Sequence, residues 1–407
     1  LANMKKIKMA AATALLLSGL SAAPAFAAEE QEKAQDFTTR TYNAVEIPSE
    51  VLASSQLFKY NSGLNFEYPD AVRGIFVTGH SAGGARFENL IELVGSTDLN
   101  AMVIDIKEDF GYMTYVPEEG SKLAEYEIGQ PYIKDPRAML ERLEQEQIYP
   151  IARVVVFKDS ALAERKPEWS FMDGGAVWKN RRGESFVNPY MKEVWDYNVD
   201  IAVEAAKMGF KEIQFDYVRF PEGFENRADT LQYSRGEYGG DEYDGTQSRV
   251  AAVTDFVAYA REQLKPYDVD VSVDIFGYSA TLPEAPGIGQ NFSLISENVD
   301  VISSMIYPSH WTSYFGIAKP DLEPYKLVAE YAKVENAKLA ELENPPVSRP
   351  WLQDFTASYL GAGNYLRYGK AEVEAQIKAL NDNGINEFLL WNAGNTYSPG
   401  VDYTPLD

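Results

Sequence analysis

The chain has 407 residues, a formal net charge of −24, no cysteine and two histidines. Such a charge repels nucleic-acid phosphates and anionic lipid, and it favours neutral or cationic partners. The lack of cysteine excludes a disulfide scaffold and thiol catalysis, and His80 and His310 alone cannot build a His/Cys metal centre.

In chain order, residues 4–27 come first. Lys5, Lys6 and Lys8, an apolar stretch from Met9 to Leu20, and the ending Ala25-Phe26-Ala27 have the layout of a secretory signal peptide cut after Ala27. The stretch is short for a bilayer span, which disfavours a retained membrane anchor, and no later segment reads as transmembrane. Export without cysteine fits a bacterial protein that is secreted or held at the cell envelope. Residues 28–70 read as a lead-in that opens on Glu29, Glu30 and Glu32.

From 71 to 400 there is neither a Pro/Gly/Ser linker nor an internal repeat, so one large domain is expected. Eight apolar, β-rich runs recur in it, at 74–79, 101–107, 150–157, 212–218, 269–276, 299–307, 350–355 and 387–393. Near-continuous Val/Ile/Phe runs suit strands covered on both faces, as in a parallel sheet. Helical patterns separate them at 86–94, 135–147, 188–207, 247–264, 292–298, 322–342 and 370–383. Asp135-Pro136 and Asn188-Pro189 supply a cap followed by proline at the first helical position. The alternation predicts an α/β fold, a (β/α)8 TIM barrel with long βα loops. A doubly wound sheet would need a phosphate-binding turn, and Gly79-His80-Ser81-Ala82-Gly83-Gly84 matches neither glycine fingerprint.

A barrel carries its site at the C-terminal ends of its strands. There the sequence places Asp105 and Lys107 at the end of run two, Asp216 in run four, Asp274 in run five, Asp354 in run seven, and Trp391 and Asn392 in run eight. A carboxylate in an apolar strand is unfavourable unless paired or used. Four at the same end suit acetal hydrolysis, in which one carboxyl protonates the leaving oxygen and another attacks or positions water. Period-two alternation puts Asp105 with Lys107, Gln214 with Asp216, and Ser272 with Asp274 on shared faces, so the three carboxylates converge if those faces point inward.

Aromatic residues gather at the same ends: Tyr112, Tyr115, Trp169, Trp178, Tyr217, Phe276, Tyr278, Tyr307, Trp311 and Trp391. Sugar rings stack their C–H faces on such side chains, although about half of these are expected only to cap the barrel.

The strings GFKEIQFDYVRFP, PIARVVVFKD, NPYMKEVWDYN and SVDIFGY resemble a bacterial family assigned to the glycoside hydrolases and known mainly as a domain of unknown function. The resemblance runs from about Arg73 to about Thr396, with FDYVRFP as its signature. It implies a (β/α)8 barrel and action on carbohydrate, without naming a substrate. An Asp ending the fourth strand is similar to the nucleophile of alpha-amylase-like and alpha-galactosidase-like barrels, and Asp216 holds that position. Such barrels place a Glu acid on the fifth strand, where this chain has Asp274. The acid/base candidates are therefore Asp274, Asp354 and Glu222, in that order. Arg219 is expected to bond Asp216 and keep it ionised. Asp105, Lys107, Arg219, Tyr217, Tyr307, Trp311, Trp391 and Asn392 are expected to bind substrate.

Two other motifs weigh less. Gly79-His80-Ser81-Ala82-Gly83 matches the GxSxG nucleophile elbow literally, but His310 would have to reach Ser81. The acidic loop at 239–245 lacks calcium-loop spacing and reads as a solvated insertion. The sequence thus predicts a secreted glycoside hydrolase acting on a poly- or oligosaccharide, monomeric, with neither cofactor nor metal. A carbohydrate-binding barrel that has lost catalysis is the alternative.

Overall fold

Each apolar run becomes a strand. The computed structural model describes residues 59–405. The expected leader and the lead-in up to residue 58 lie outside the described residues. The strands are β1 (Arg73–Val77), β2 (Ala101–Lys107), β3 (Tyr149–Val155), β4 (Glu212–Asp216), β5 (Asp270–Phe276), β6 (Val301–Met305), β7 in two pieces (Val347–Ser348 and Trp351–Gln353) and β8 (Phe388–Trp391). All neighbours are parallel, and the sheet closes where β8 pairs with both β7 and β1. The fold is the (β/α)8 barrel.

The break in β7 falls at Arg349-Pro350. Pro350 has no N–H to donate. The chain crosses that point on Arg349, whose N–H bonds Ile302 O at 2.9 Å, and on Pro350 O, which accepts from Leu389 at 2.9 Å.

The principal helices between the strands are α1 (Arg86–Gly95), α2 (Pro136–Gln145), α3 (Lys192–Met208), α4 (Gly245–Leu264), α5 (Phe292–Ser296), α6 (Pro324–Leu339) and α7 (Lys370–Asn381). Asp135 caps α2 as expected, accepting the Ala138 N–H at 2.9 Å. Helix α3 starts four residues after Asn188, later than its Asn-Pro suggested. Asn188 is instead held in the preceding loop, where its amide donates to Ser234 O at 2.7 Å. In the acidic loop, Asp244 caps α4 by accepting the Thr246 and Gln247 N–H groups, each at 2.8 Å. Among the described residues no helix is long and apolar enough to cross a membrane.

The bottom of the barrel is closed by charge. Arg349 donates to both oxygens of Glu212 at 2.8 Å and to Glu387 at 2.8 Å, and all three side chains are fully buried. Glu212 opens β4 and Glu387 immediately precedes β8. This network lies at the end where barrels carry stability, opposite the mouth.

Candidate active site

Asp216 is the last residue of β4, and the chain turns sharply after it. Tyr217 lies in left-handed backbone space with φ +52°, a conformation costing about 1–2 kcal/mol for a residue of this kind. The turn directs the Tyr217 N–H back onto Asp216 Oδ1 at 2.6 Å. On the other oxygen, Arg153 donates from Nε at 3.0 Å and from Nη2 at 2.6 Å.

Arg153 comes from the middle of β3, level with Asp105 on β2 and Gln214 on β4. Its remaining donors reach Asp105 at 2.7 Å and Asp109 at 2.7 Å. Arg153 is 1% exposed, and its guanidinium lies 5.5 Å from the Phe76 ring and 5.4 Å from the Trp391 ring. Those two rings stack at 4.0 Å. Asp109 also accepts from Lys158 at 3.1 Å, and Lys158 pairs with Glu184 at 2.9 Å. One buried cation thus gathers three carboxylates.

Asp274, on β5, is set up differently. It is 2% exposed, and its hydrogen bond comes from a neutral group, the Trp351 indole N–H, at 2.7 Å. Burial, and then the negative charge of Asp216, push its carboxyl well above the usual carboxylate range. Asp105 is pushed up to about 7, chiefly by burial and against the pull of Arg153. For Asp109, lost hydration favours the neutral acid, but Arg153 and Lys158 outweigh it and hold the carboxyl at about 2. The mouth therefore holds carboxyls of opposed tendency side by side. Among the described residues no group of three or more His, Asp or Glu side chains is arranged to hold a metal ion.

A family model described as "putative glycosyl hydrolase domain" matches residues 74–397. The chain belongs to this glycoside hydrolase family. No curated protein matches it. Among solved structures, a hypothetical protein from Ruminiclostridium thermocellum is 32% identical, with 49% of this chain and 96% of that one covered and a TM-score of 0.42. The PgaB glycoside hydrolase domain from Bordetella bronchiseptica is 15% identical over 79% of this chain and 94% of its own, with a TM-score of 0.54. An alpha-amylase from Lactobacillus plantarum is 15% identical over 79% and 71%, with a TM-score of 0.48.

In this family member, Asp105, Asp216 and Asp274 are brought together, and Tyr307 walls the same space. Tyr307 is 4% exposed, senses the charges of Asp274 and Asp216, and lies 6.5 Å from the Trp391 ring. Tyr217 lines the rim, its ring 4.5 Å from Lys158 Nζ. Trp311 lies further out, packed on Tyr314, Phe315 and Tyr331.

Other expected residues are placed elsewhere. Lys107 does not share a face with Asp105, because β2 bulges between them: Asp105 pairs with Arg153, but Lys107 pairs with Val154. The slip turns Lys107 into the barrel wall, where it is fully buried and bound to Asp159 at 2.6 Å and Asn198 at 2.9 Å. Arg219 donates to Phe220 O at 3.1 Å and to Glu222 at 3.3 Å instead of to Asp216, whose pairing Arg153 already supplies. Glu222 itself lies out on the rim, its side chain 66% exposed. Asp354 is tied to the C-terminal segment, accepting from Ser398 N at 2.9 Å and Ser398 Oγ at 2.6 Å. Asn392 ties the loops after β7 and β8 together, donating to Asp354 O at 2.6 Å and accepting from Gly394 N at 2.9 Å. Ser81 belongs to a short helical turn capped by Thr78, whereas His310 packs on Tyr307 and Phe355. No elbow nucleophile is assembled from them.

Four residues of this site escaped the sequence reading: Arg153, Asp109, Lys158 and Trp351. For Arg153 a signal was present. A guanidinium in the middle of the apolar run PIARVVVF must find buried partners.

Proposed function

We propose that the barrel is a secreted enzyme that cleaves glycosidic bonds of a poly- or oligosaccharide, with Asp216 as nucleophile and Asp274 as acid/base. The observation that carries this reading is the contrast between two neighbouring carboxyls. Asp216 is gripped by Arg153 and receives the Tyr217 N–H. Asp274 has a neutral partner and favours its proton. A carboxyl held by a cation beside one that keeps its proton divides the roles of attacking group and acid between the two.

Asp216 attacks the sugar carbon as its bond to the departing oxygen breaks, Arg153 fixes the attacking carboxylate in direction, and water then displaces the sugar from Asp216. Asp274 gives its proton to the departing oxygen and recovers one from the water that completes hydrolysis. Asp105 and Asp109 hold Arg153 in place, and Tyr307 and Trp391 supply apolar walls for a sugar ring. Glu222 and Asp354 then serve outside the bond-breaking step.

Screening the purified protein against bacterial and plant polysaccharides, read by release of reducing ends, tests the proposal. Turnover that disappears in Asp216→Asn supports it. Binding of oligosaccharides without turnover of any would favour the catalytically inactive, carbohydrate-binding barrel.

A further inference from the structure

The loops after β4 and β5 carry a file of side chains that runs from the carboxylate pair to the surface. It begins at Tyr217, the residue after Asp216. The Arg219 guanidinium lies 4.9 Å from the Tyr217 ring and 4.6 Å from the Phe276 ring. Phe276 in turn stacks on Tyr278, with centroids 5.5 Å apart and planes 26° from parallel. The inner members are half-buried or buried, and the last, Tyr278, is 37% exposed.

That exposed ring is held in a fixed position. A side chain at Gly277 would strike Met305 O and the Trp311 ring, at 2.7 and 3.0 Å, so the turn lies flat against the end of β6. The Phe276 N–H donates to Gln290 Oε1 at 3.2 Å, and Tyr278 O accepts from Thr281 at 2.7 Å. Polar groups stand beside the ring as well. The charges of Arg219, Glu222 and Glu225 all reach the Tyr278 hydroxyl, and Arg219 steadies the exposed Glu222 at 3.3 Å.

A flat aromatic face with carboxylates in its neighbourhood suits a pyranose, which offers a C–H face and a ring of hydroxyl donors. A platform ordered before binding also avoids the entropy of being ordered by the ligand. We propose that Tyr278, backed by Phe276 and Arg219 and flanked by Glu222, holds a sugar unit of the chain beyond those bound at Asp216 and Asp274. This rests on the glycoside hydrolase reading above, and it makes a chain extending past the cleaved bond the preferred ligand.

The test uses Asp216→Asn protein of full length in native gels containing soluble starch, xylan, glycol chitosan or solubilised peptidoglycan glycan strands. Wild-type turnover of the same four polymers is measured in parallel by reducing ends. Adding Tyr278→Ala should weaken binding of the retarding polymer about tenfold, the loss of one stacking contact. Tyr278→Phe keeps the ring and should bind within about twofold of its parent, since the stacking face is unchanged. Equal retardation of the Tyr278→Ala protein, or equal weakening by Tyr278→Phe and Tyr278→Ala, overturns the platform and leaves cleavage standing. A wild-type protein that neither cleaves nor is retarded by any polymer of the panel overturns the hydrolase reading and the platform with it.

Discussion

Arg153 holds Asp216 through two nitrogens on one carboxylate oxygen, Nε at 3.0 Å and Nη2 at 2.6 Å. The same guanidinium bonds Asp105 and Asp109, so a single side chain fixes one proposed catalytic group and neutralises part of its surroundings. A lysine offers one ammonium in place of this planar fork and cannot span the three partners.

Arg153→Lys should therefore lower kcat about a hundredfold or more, as when a positioned electrostatic contact is lost. Arg153→Met should in addition destabilise the fold by about 3–5 kcal/mol, because it leaves buried carboxylates unpaired. Urea denaturation of both variants separates the two effects. A Lys variant with wild-type turnover would remove Arg153 from the proposed chemistry.

The acid role of Asp274 has its own signature. Its pKa is raised, so the protonated form persists to higher pH than an ordinary Asp, and activity should fall as pH rises through that pKa. In Asp274→Asn the alkaline limb of the kcat/KM profile should vanish along with most turnover. Glycosyl fluorides leave without a proton, so their hydrolysis should be reduced far less than that of the natural bond. If natural substrate and fluoride lose rate equally, Asp274 is not the general acid.

The nucleophile can be tested by charge alone. Asp216→Asn keeps the shape and removes the negative charge aligned with the developing cation, a change worth several kcal/mol. Turnover should fall about a thousandfold or more. A variant retaining over about a tenth of wild-type turnover, a loss of only about 1.4 kcal/mol, would exclude Asp216 from the reaction.

Asp105 links the site to stability. Its carboxyl is raised to about 7 in the folded chain, well above its unfolded value. A group shifted in this direction contributes stability that is fully present below the unfolded pKa and is lost as pH rises through the folded one. The window runs from about pH 4 to about pH 7, with at most about 1.4 kcal/mol lost per pH unit from this group. Asp105→Asn still offers an oxygen to Arg153 and does not titrate, so its urea midpoint should decline less than wild type across that window. Parallel declines would show that Asp105 ionises without penalty.

Much of this arrangement was legible in the sequence. Parallel strands covered on both faces are near-continuously apolar, so each β-run announced itself. Asp105, Asp216 and Asp274 stood out because carboxylates are rare in such runs. The pairing was not legible. Arg153 meets Asp105 and Asp216 from 48 and 63 residues away, across strand registers that local pattern does not encode. Arg219 looked like the partner of Asp216 because it is near in sequence, yet Tyr217 turns the chain between them. Strict alternation likewise misplaced Lys107, since a bulge of one residue reverses a side chain and leaves no mark in composition.

Lys107 gives the last prediction. With Asp159 it forms a fully buried ion pair at 2.6 Å, and Asn198 and Val156 O take further Lys107 hydrogen bonds at 2.9 and 3.2 Å. Burial lowers the lysine pKa and raises that of Asp159, and the contact opposes both shifts. Asp159 in turn caps a short helix through the Leu162 N–H at 2.7 Å and crowds Gly111 in the loop that carries Asp109. Lys107→Met leaves the Asp159 charge buried without its cation, so it should destabilise the chain by about 3–5 kcal/mol. The double variant Lys107→Met with Asp159→Asn removes both charges and keeps an oxygen for the cap, so most of that loss should return. A residue that bound substrate would behave otherwise: Lys107→Met would raise KM while leaving the urea midpoint unchanged, and the second substitution would restore nothing. Midpoints for wild type, the two single variants and the double variant close the cycle, and a coupling energy near zero would show that the pair does not act as a unit.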